Sequence, residues 1–167
     1  MNVAYLFPGQ GSQAVGMGKD LYDRSAEARA LFDRADEILG FSISKMCFEG
    51  PEEELRLTRN TQPALLVVST AACRLLAHDP VAAAGHSLGE YSALVAAGCL
   101  RFEDAVLLVH KRGRYMQEAV PVGVGGMAAV LGVPGEEVER RLAGVSSGVV
   151  EIANWNSDDQ IVISGEM

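Results

Sequence analysis

The chain has 167 residues, 49% of them hydrophobic and 22% charged, with 18 glycines and no biased tract. That is enough apolar chain to bury a core without disulfide staples, and it excludes disordered, collagenous and fibrous classes. Fourteen Lys and Arg against 22 Asp and Glu give a net charge of −8, the wrong sign for a protein whose affinity depends on neutralising a nucleic-acid backbone.

In chain order, a short strand is predicted over 3–7, running into the turn Pro8-Gly9-Gln10-Gly11-Ser12. No basic leader precedes it and Pro8 ends the apolar run at once, so a secretory signal is excluded and a cytoplasmic protein is expected. A helix follows from Ser25, a suitable N-cap, with Ala28, Leu31, Ala35, Ile38 and Leu39 on one face and Gly40 as its stop. Gly50-Pro51-Glu52-Glu53-Glu54 predicts a shorter helix start, and Thr61-Gln62-Pro63 opens another in the same way. Its apolar stretch, 63–73, carries Ser69 and Thr70 and is far too short to span a bilayer, so no membrane partner is expected.

Residues 81–85 predict a buried strand, followed by Ser87 and a helix over 88–97 ended by Gly98, the strand-turn-helix order of an α/β protein. A further amphipathic helix is predicted over 103–118, with Ala105, Leu108, Val109 and Met116 on one side. After Pro121, Gly123, Gly125 and Gly126 lead into a strand over 127–133, a helix over 135–142 and strands at 149–153 and 160–164. That β-α-β-β order is most of a ferredoxin-like unit without its last helix and strand, so the chain is expected to be a fragment, divided into 1–122 and 123–167. Cys47, Cys73 and Cys99 are odd in number and lack a Cys-x-x-Cys pair, which predicts buried free thiols and no zinc site.

The strongest chemical motif is Gly85-His86-Ser87-Leu88-Gly89. A nucleophilic serine must project from a sharp, strained turn, and glycines two residues to either side remove side chains that would collide there. The helix that follows directs unpaired N–H groups and its positive dipole end at a developing oxyanion. The bare pattern arises by chance in about one chain in twenty of this length, so it is the strand-turn-helix context that gives it weight. The alternative is that Ser87 merely caps a helix after a glycine turn.

Such a serine needs a base, and the chain offers three histidines. His86 adjoins Ser87 at the strand edge, where successive side chains point to opposite faces. His110 lies two residues from Arg112, about 200° around a helix, so the two cannot face one pocket. His78 precedes Asp79-Pro80 in a loop and is expected to face solvent. A base is therefore not expected within this chain. The first loop, Gly9 to Ala14, also fits a relaxed dinucleotide fingerprint, G-x-G-x-x-A, but the acid that should end a second strand falls near Glu27 and Asp33, in predicted helix.

Five blocks in order, Phe7-Pro8-Gly9-Gln10-Gly11-Ser12-Gln13, Thr61-Gln62-Pro63-Ala64, Gly85 to Ala93, Arg112-Gly113 with Met116-Gln117-Glu118-Ala119, and Asn154-Trp155-Asn156-Ser157, resemble malonyl-CoA:acyl carrier protein transacylases along the whole chain. The resemblance implies an α/β-hydrolase-like core with an inserted, here incomplete, ferredoxin-like subdomain. It also implies ping-pong transfer of a malonyl group from malonyl-CoA, through a seryl ester, to the phosphopantetheine thiol of an acyl carrier protein in fatty acid biosynthesis. Carried over by position, Ser87 is the nucleophile, the backbone N–H groups of Gln10 and Leu88 form the oxyanion hole, and Arg112 grips the free malonyl carboxylate. A planar guanidinium suits that role, since it can hold a carboxylate by two parallel hydrogen bonds. Left buried and unpaired by a methyl-ended acyl group, it would reject that group by on the order of several kcal/mol.

The resemblance places the catalytic histidine in a later segment. It requires no metal or redox cofactor, and a monomer is expected; Met1 directly before the first strand suggests a free-standing protein. Leu88 after the serine matches malonyl-using members. Asp158-Asp159 stands where many relatives have proline, and Asn154 and Asn156 are assigned to a turn and to packing. Lys111, Arg114, Arg140 and Arg141 are the candidates for a basic patch facing an acidic carrier protein. A serine hydrolase is the competing enzyme class, distinguished by release of the acyl group to water.

Overall fold

The computed structural model describes residues 2–76, 78–120 and 123–167, which form two compact units, Met1–Gln117 and Glu118–Met167. The expected division between 122 and 123 adjoins Pro121 and Val122, which lie outside the described residues.

In the first unit, β1 (Ala4–Phe7) turns Tyr5 and Phe7 inward and leaves Leu6 80% exposed, the alternation of a strand with one covered face. Two helices follow, α1 (Lys19–Arg24) and α2 (Ala26–Leu39). Ser25 caps α2 by accepting from the Ala28 N–H at 3.2 Å, and Gly40, at φ 74°, ends it in the left-handed conformation that suits glycine. The buried anchor of α2 is Phe32, which falls between the expected Leu31 and Ala35 and lies against the rings of Tyr22 and Phe48. Leu31, Ile38 and Leu39 are only half-buried.

Helix α3 (Ile43–Glu49) is tied back to α2 by Asp36, whose carboxylate accepts from the Ser44 N–H at 2.9 Å and from the hydroxyls of Ser42 and Ser44. After it come α4 (Glu52–Arg56) and α5 (Thr58–Arg74). Helix α5 starts three residues before the expected Thr61, so Pro63 sits inside it rather than at its entrance. Its Ala64 to Val67 and Ala71 are buried against Phe32, Ile43, Cys47 and Leu55.

Strand β2 (Ala82–Gly85) pairs in parallel with β1, Ala4 opposite Ala82 and Phe7 opposite Gly85. It is not the buried strand its composition predicts, for Ala82 and Ala84 are exposed. Helices α6 (Gly89–Ala96) and α7 (Phe102–Ala119) follow. On α7 the buried stripe is Phe102, Ala105, Val106, Val109 and Gly113, while the expected Leu108 and Met116 are 47% and 45% exposed. Cβ geometry shows why Gly113 belongs to that stripe: a side chain there would stand 2.6 Å from the Thr58 carbonyl of α5.

The second unit holds β3 (Gly125–Leu131), α8 (Gly135–Leu142), β4 (Val150–Ser157) and β5 (Gln160–Glu166). The sheet is antiparallel in the order β3-β5-β4. Helix α8 begins beneath the indole of Trp155, so closely that a Cβ on Gly135 would enter the ring. Asp158 and Asp159 make the turn between β4 and β5. Asn154 and Asn156 therefore lie in β4 and not in a turn; Asn154 stands opposite Val162, and the Asn156 amide donates to Gln160 Oε1 at 3.2 Å. The described residues thus form a mixed α/β fold with one parallel and one antiparallel sheet. Of the cysteines, Cys47 is buried, Cys73 half-buried and Cys99 exposed, so only the first is the fully buried thiol expected. Among the described residues no helix is long and apolar enough to cross a membrane.

Candidate active site

Ser87 stands between the end of β2 and the start of α6 with φ at +51°, the one non-glycine residue with positive φ among those described. A left-handed backbone costs an ordinary residue about 1–3 kcal/mol and persists only where its surroundings impose it. Here the glycines impose it. A Cβ on Gly85 would penetrate the backbone of Gly89, one on Gly89 would strike the Phe7 carbonyl, and one on Gly9 would lie 2.7 Å from the His86 carbonyl. The loop after β1 is thus pressed against the serine turn. Leu88, 1% exposed, drives its side chain into the core, and Ser87 is left at the surface.

The turn is closed by hydrogen bonds from His86 N–H to the Phe7 carbonyl at 3.1 Å, Gly89 N–H to the His86 carbonyl at 2.9 Å and Glu90 N–H to the Ser87 carbonyl at 3.2 Å. Among the described residues, the N–H groups of Gln10 and Leu88 donate to no protein acceptor. The Gln10 side chain donates to Thr58 Oγ1 at 3.2 Å, and the Thr58 N–H donates to Gln117 Oε1 at 3.2 Å, so α5 and α7 both brace the first loop.

Arg112 reaches this turn from α7. Its Nη2 donates to Ser87 Oγ at 3.1 Å and its Nη1 to Gln62 Oε1 at 2.8 Å, with the Tyr91 ring 5.9 Å from its Cζ. A full positive charge beside the hydroxyl favours an alkoxide there. It also leaves donors available for an anion arriving at the serine.

The histidines go elsewhere. His110 Nδ1 lies 3.3 Å from the Arg59 carbonyl of α5 and its ring is 5.7 Å from that of Phe41. Arg59 is four residues before Pro63, and proline has no N–H to offer that carbonyl. His110 supplies the missing donor, a structural duty on the side of α7 away from Arg112. His78 is exposed, and its carbonyl accepts from the Tyr5 hydroxyl. His86 packs its ring against Gly9, where a Cβ would stand 2.8 Å from Nδ1. The dinucleotide reading finds no support in this geometry: Glu27 and Asp33 are both in α2, and β1 pairs with a strand that begins at Ala82.

Sequence reasoning brought Ser87, Gln10, Leu88 and Arg112 to one place, but it missed Gln62, Tyr91, Thr58 and Met116. Gln62 stood in the Thr61 to Ala64 block with no role assigned to it, and its physical signal was that of a polar residue in an apolar helix, where a buried amide must have partners. Of the proposed basic patch, Lys111 and Arg114 are exposed on α7, while Arg140 and Arg141 both pair with Glu137 on their own helix, Arg141 at 2.7 Å. Among the described residues no group of three His, Cys, Asp or Glu is placed to hold a metal ion.

Residues 4–167 match the acyl transferase domain family. The malonyl CoA-acyl carrier protein transacylase of Bacillus subtilis (strain 168) is 53% identical over 98% of this chain, and that of Staphylococcus aureus (strain MRSA252) is 48% identical over 97%. The structure of the corresponding Coxiella burnetii enzyme aligns over 99% of the chain with a TM-score of 0.91 at 46% identity. A holo complex of a type II PKS acyl-carrier protein with its malonyl-transacylase aligns over 99% with a TM-score of 0.90 at 44% identity. The chain spans about half the length of these relatives, 53% and 54% of the two sequences and 54% and 55% of the two structures. On a match from end to end, with the serine turn and its arginine in place, the chain belongs to the acyl transferase domain family and is a homologue of the malonyl-CoA–acyl carrier protein transacylases.

Proposed function

We propose that Ser87 takes a malonyl group from malonyl-CoA as an ester and passes it to the phosphopantetheine thiol of an acyl carrier protein, in fatty acid biosynthesis. The observation that carries this reading is the Arg112 fork, with one arm 3.1 Å from Ser87 Oγ and the other fixed on buried Gln62. A malonyl ester on Ser87 carries its free carboxylate two carbons beyond the acyl carbon, within reach of a guanidinium so placed. In the first half-reaction the Ser87 Oγ–carbon bond forms, the thioester carbon–sulfur bond breaks, and the oxyanion is met by the N–H groups of Gln10 and Leu88. The serine proton passes to a general base and from there to the coenzyme A sulfur; the resemblance assigns that base to a histidine in a segment beyond these residues. The carrier thiol then reverses the steps. The carrier complex among the structural relatives supports the choice of acceptor.

Under this reading residues 1–122 are part of an α/β-hydrolase-like core and 123–167 part of a ferredoxin-like subdomain, which the antiparallel order β3-β5-β4 supports. The test uses the full-length protein. Ser87→Ala is expected to abolish covalent labelling by radioactive malonyl-CoA, and Arg112→Ala to lower malonyl transfer far more than acetyl transfer. Label retained without Ser87, equal loss of both acyl groups without Arg112, or release of malonate to water in preference to a thiol would each reject the assignment.

A further inference from the structure

We infer that Gln62 sets the acyl selectivity of this site by holding Arg112 in register without neutralising it, a positioning role that rests on the reading of Ser87 and Arg112 given above. Gln62 is 1% exposed, in a helix whose neighbouring positions are filled by Ala64, Leu65 and Leu66. A buried amide in such surroundings is unfavourable unless both its ends are satisfied. Both are: Oε1 accepts from Arg112 Nη1 at 2.8 Å and Nε2 donates to Met116 Sδ at 3.2 Å. Chemistry fixes which end is which. A guanidinium only donates, so the carbonyl oxygen must face it, and the amino group is left to the thioether, a weak acceptor.

The backbone carrying Gln62 is pinned on both sides. Asn60 Nδ2 donates to the Glu54 carbonyl at 2.8 Å and Thr61 Oγ1 to the Leu55 carbonyl at 2.6 Å, which locks the corner between α4 and α5. Pro63 follows, with its unpaired Arg59 carbonyl taken up by His110 of α7. Gln62 and Arg112 are therefore held in relation to each other by hydrogen bonds beyond their own, and Met116 lies one helical turn after Arg112 on the same face of α7.

The residue type matters as much as the place. An aliphatic side chain at 62 would leave Nη1 without a buried acceptor and the guanidinium free to rotate. A carboxylate would hold it equally well but would satisfy its charge before any acyl carboxylate arrived. An amide alone fixes one arm and leaves the full charge, with Nη2 turned toward Ser87, for the substrate.

The experiment measures kcat/KM for malonyl-CoA and acetyl-CoA in the full-length protein with Gln62→Met, which keeps bulk, and Gln62→Glu, which keeps shape and the hydrogen bond. Both are expected to lower the malonyl-to-acetyl ratio about tenfold or more, the scale of one charge-assisted hydrogen bond. The loss should appear in Gln62→Glu even if Gln62→Met fails to fold. A general packing defect lowers both substrates together and leaves the ratio alone, so an unchanged ratio in a folded variant overturns the inference. Arg112→Ala measured alongside separates the two claims. If it collapses the ratio and the Gln62 variants do not, only the positioning role is rejected; if it leaves the ratio unchanged, the carboxylate reading fails and the positioning role falls with it.

Discussion

The two compact units solve the problem of stability differently. The first buries Phe32, Ile43, Cys47, Leu55, Leu66, Val67, Val106 and Val109 completely, in a core to which α2, α3, α4, α5, α6 and α7 all contribute buried residues. In the second, Ile161 is fully buried and Val138 nearly so at 4% exposed, while Met127, Leu131 and Trp155 are more than half exposed. A residue at φ +51° needs surroundings that over-determine it, and only a dense core can supply them. It is fitting that Ser87 sits on the first unit, with Leu88 sunk into that core immediately beside it. The second unit is an antiparallel ladder whose β4–β5 register shifts between Ile152 and Asn154 and between Trp155 and Ser157, with tight glycine contacts at Gly135 and Gly165 and, among the described residues, no non-glycine residue at positive φ.

The contrast can be broken at its sharpest point by Gly89→Ala. Its Cβ would meet the Phe7 carbonyl, so labelling of Ser87 by radioactive malonyl-CoA should vanish in the full-length protein even though the serine is untouched. Undiminished labelling would mean that the turn does not depend on glycine. Phe32→Ala removes the centre of the aromatic cluster and should cost about 3–5 kcal/mol in urea unfolding. Ile161→Ala should cost less, about 2–3 kcal/mol, and hydrogen exchange should accelerate in β3, β4 and β5 while α5 and α6 stay protected. Equal acceleration in both would show the units unfolding as one.

The smallest effect concerns the thiols. Burial pushes Cys47 up to about 12, above an unfolded value of roughly 8.5. The folded state therefore favours the neutral thiol, a contribution fully present below the unfolded value and lost as the pH climbs toward 12. Alkylation at pH 8 should accordingly modify Cys99 first, Cys73 more slowly and Cys47 only on unfolding; early modification of Cys47 would show that its core opens readily.

Much of the site was legible because its demands are local. A strand, two glycines and a serine before a helix can be recognised in five residues, since the collisions that require glycine occur within that turn and the loop beside it. The caps Ser25 and Gly40 were readable for the same reason. Helices α1 and α3 were not, being one to two turns long and held by distant groups: α3 by Asp36 of the preceding helix, α1 by the packing of Tyr22 on Phe32 and Phe48. Pro63 misled the placement of α5 because the partner that makes an internal proline tolerable, His110, lies 47 positions further along the chain.

What the order of residues alone determined is the chemistry on offer: a hydroxyl at a glycine turn, an arginine on a later helix, and the periodicity that makes those segments strands and helices. Tertiary structure decided which of them meet. Local propensity and spacing act over a few residues, whereas the Arg112 to Ser87 contact spans 25 positions and the Arg112 to Gln62 contact spans 50. The longer separation is closed where α5 and α7 pack at the notch of Gly113, and the shorter where Arg112 of α7 meets the turn between β2 and α6, contacts that no short window of sequence contains.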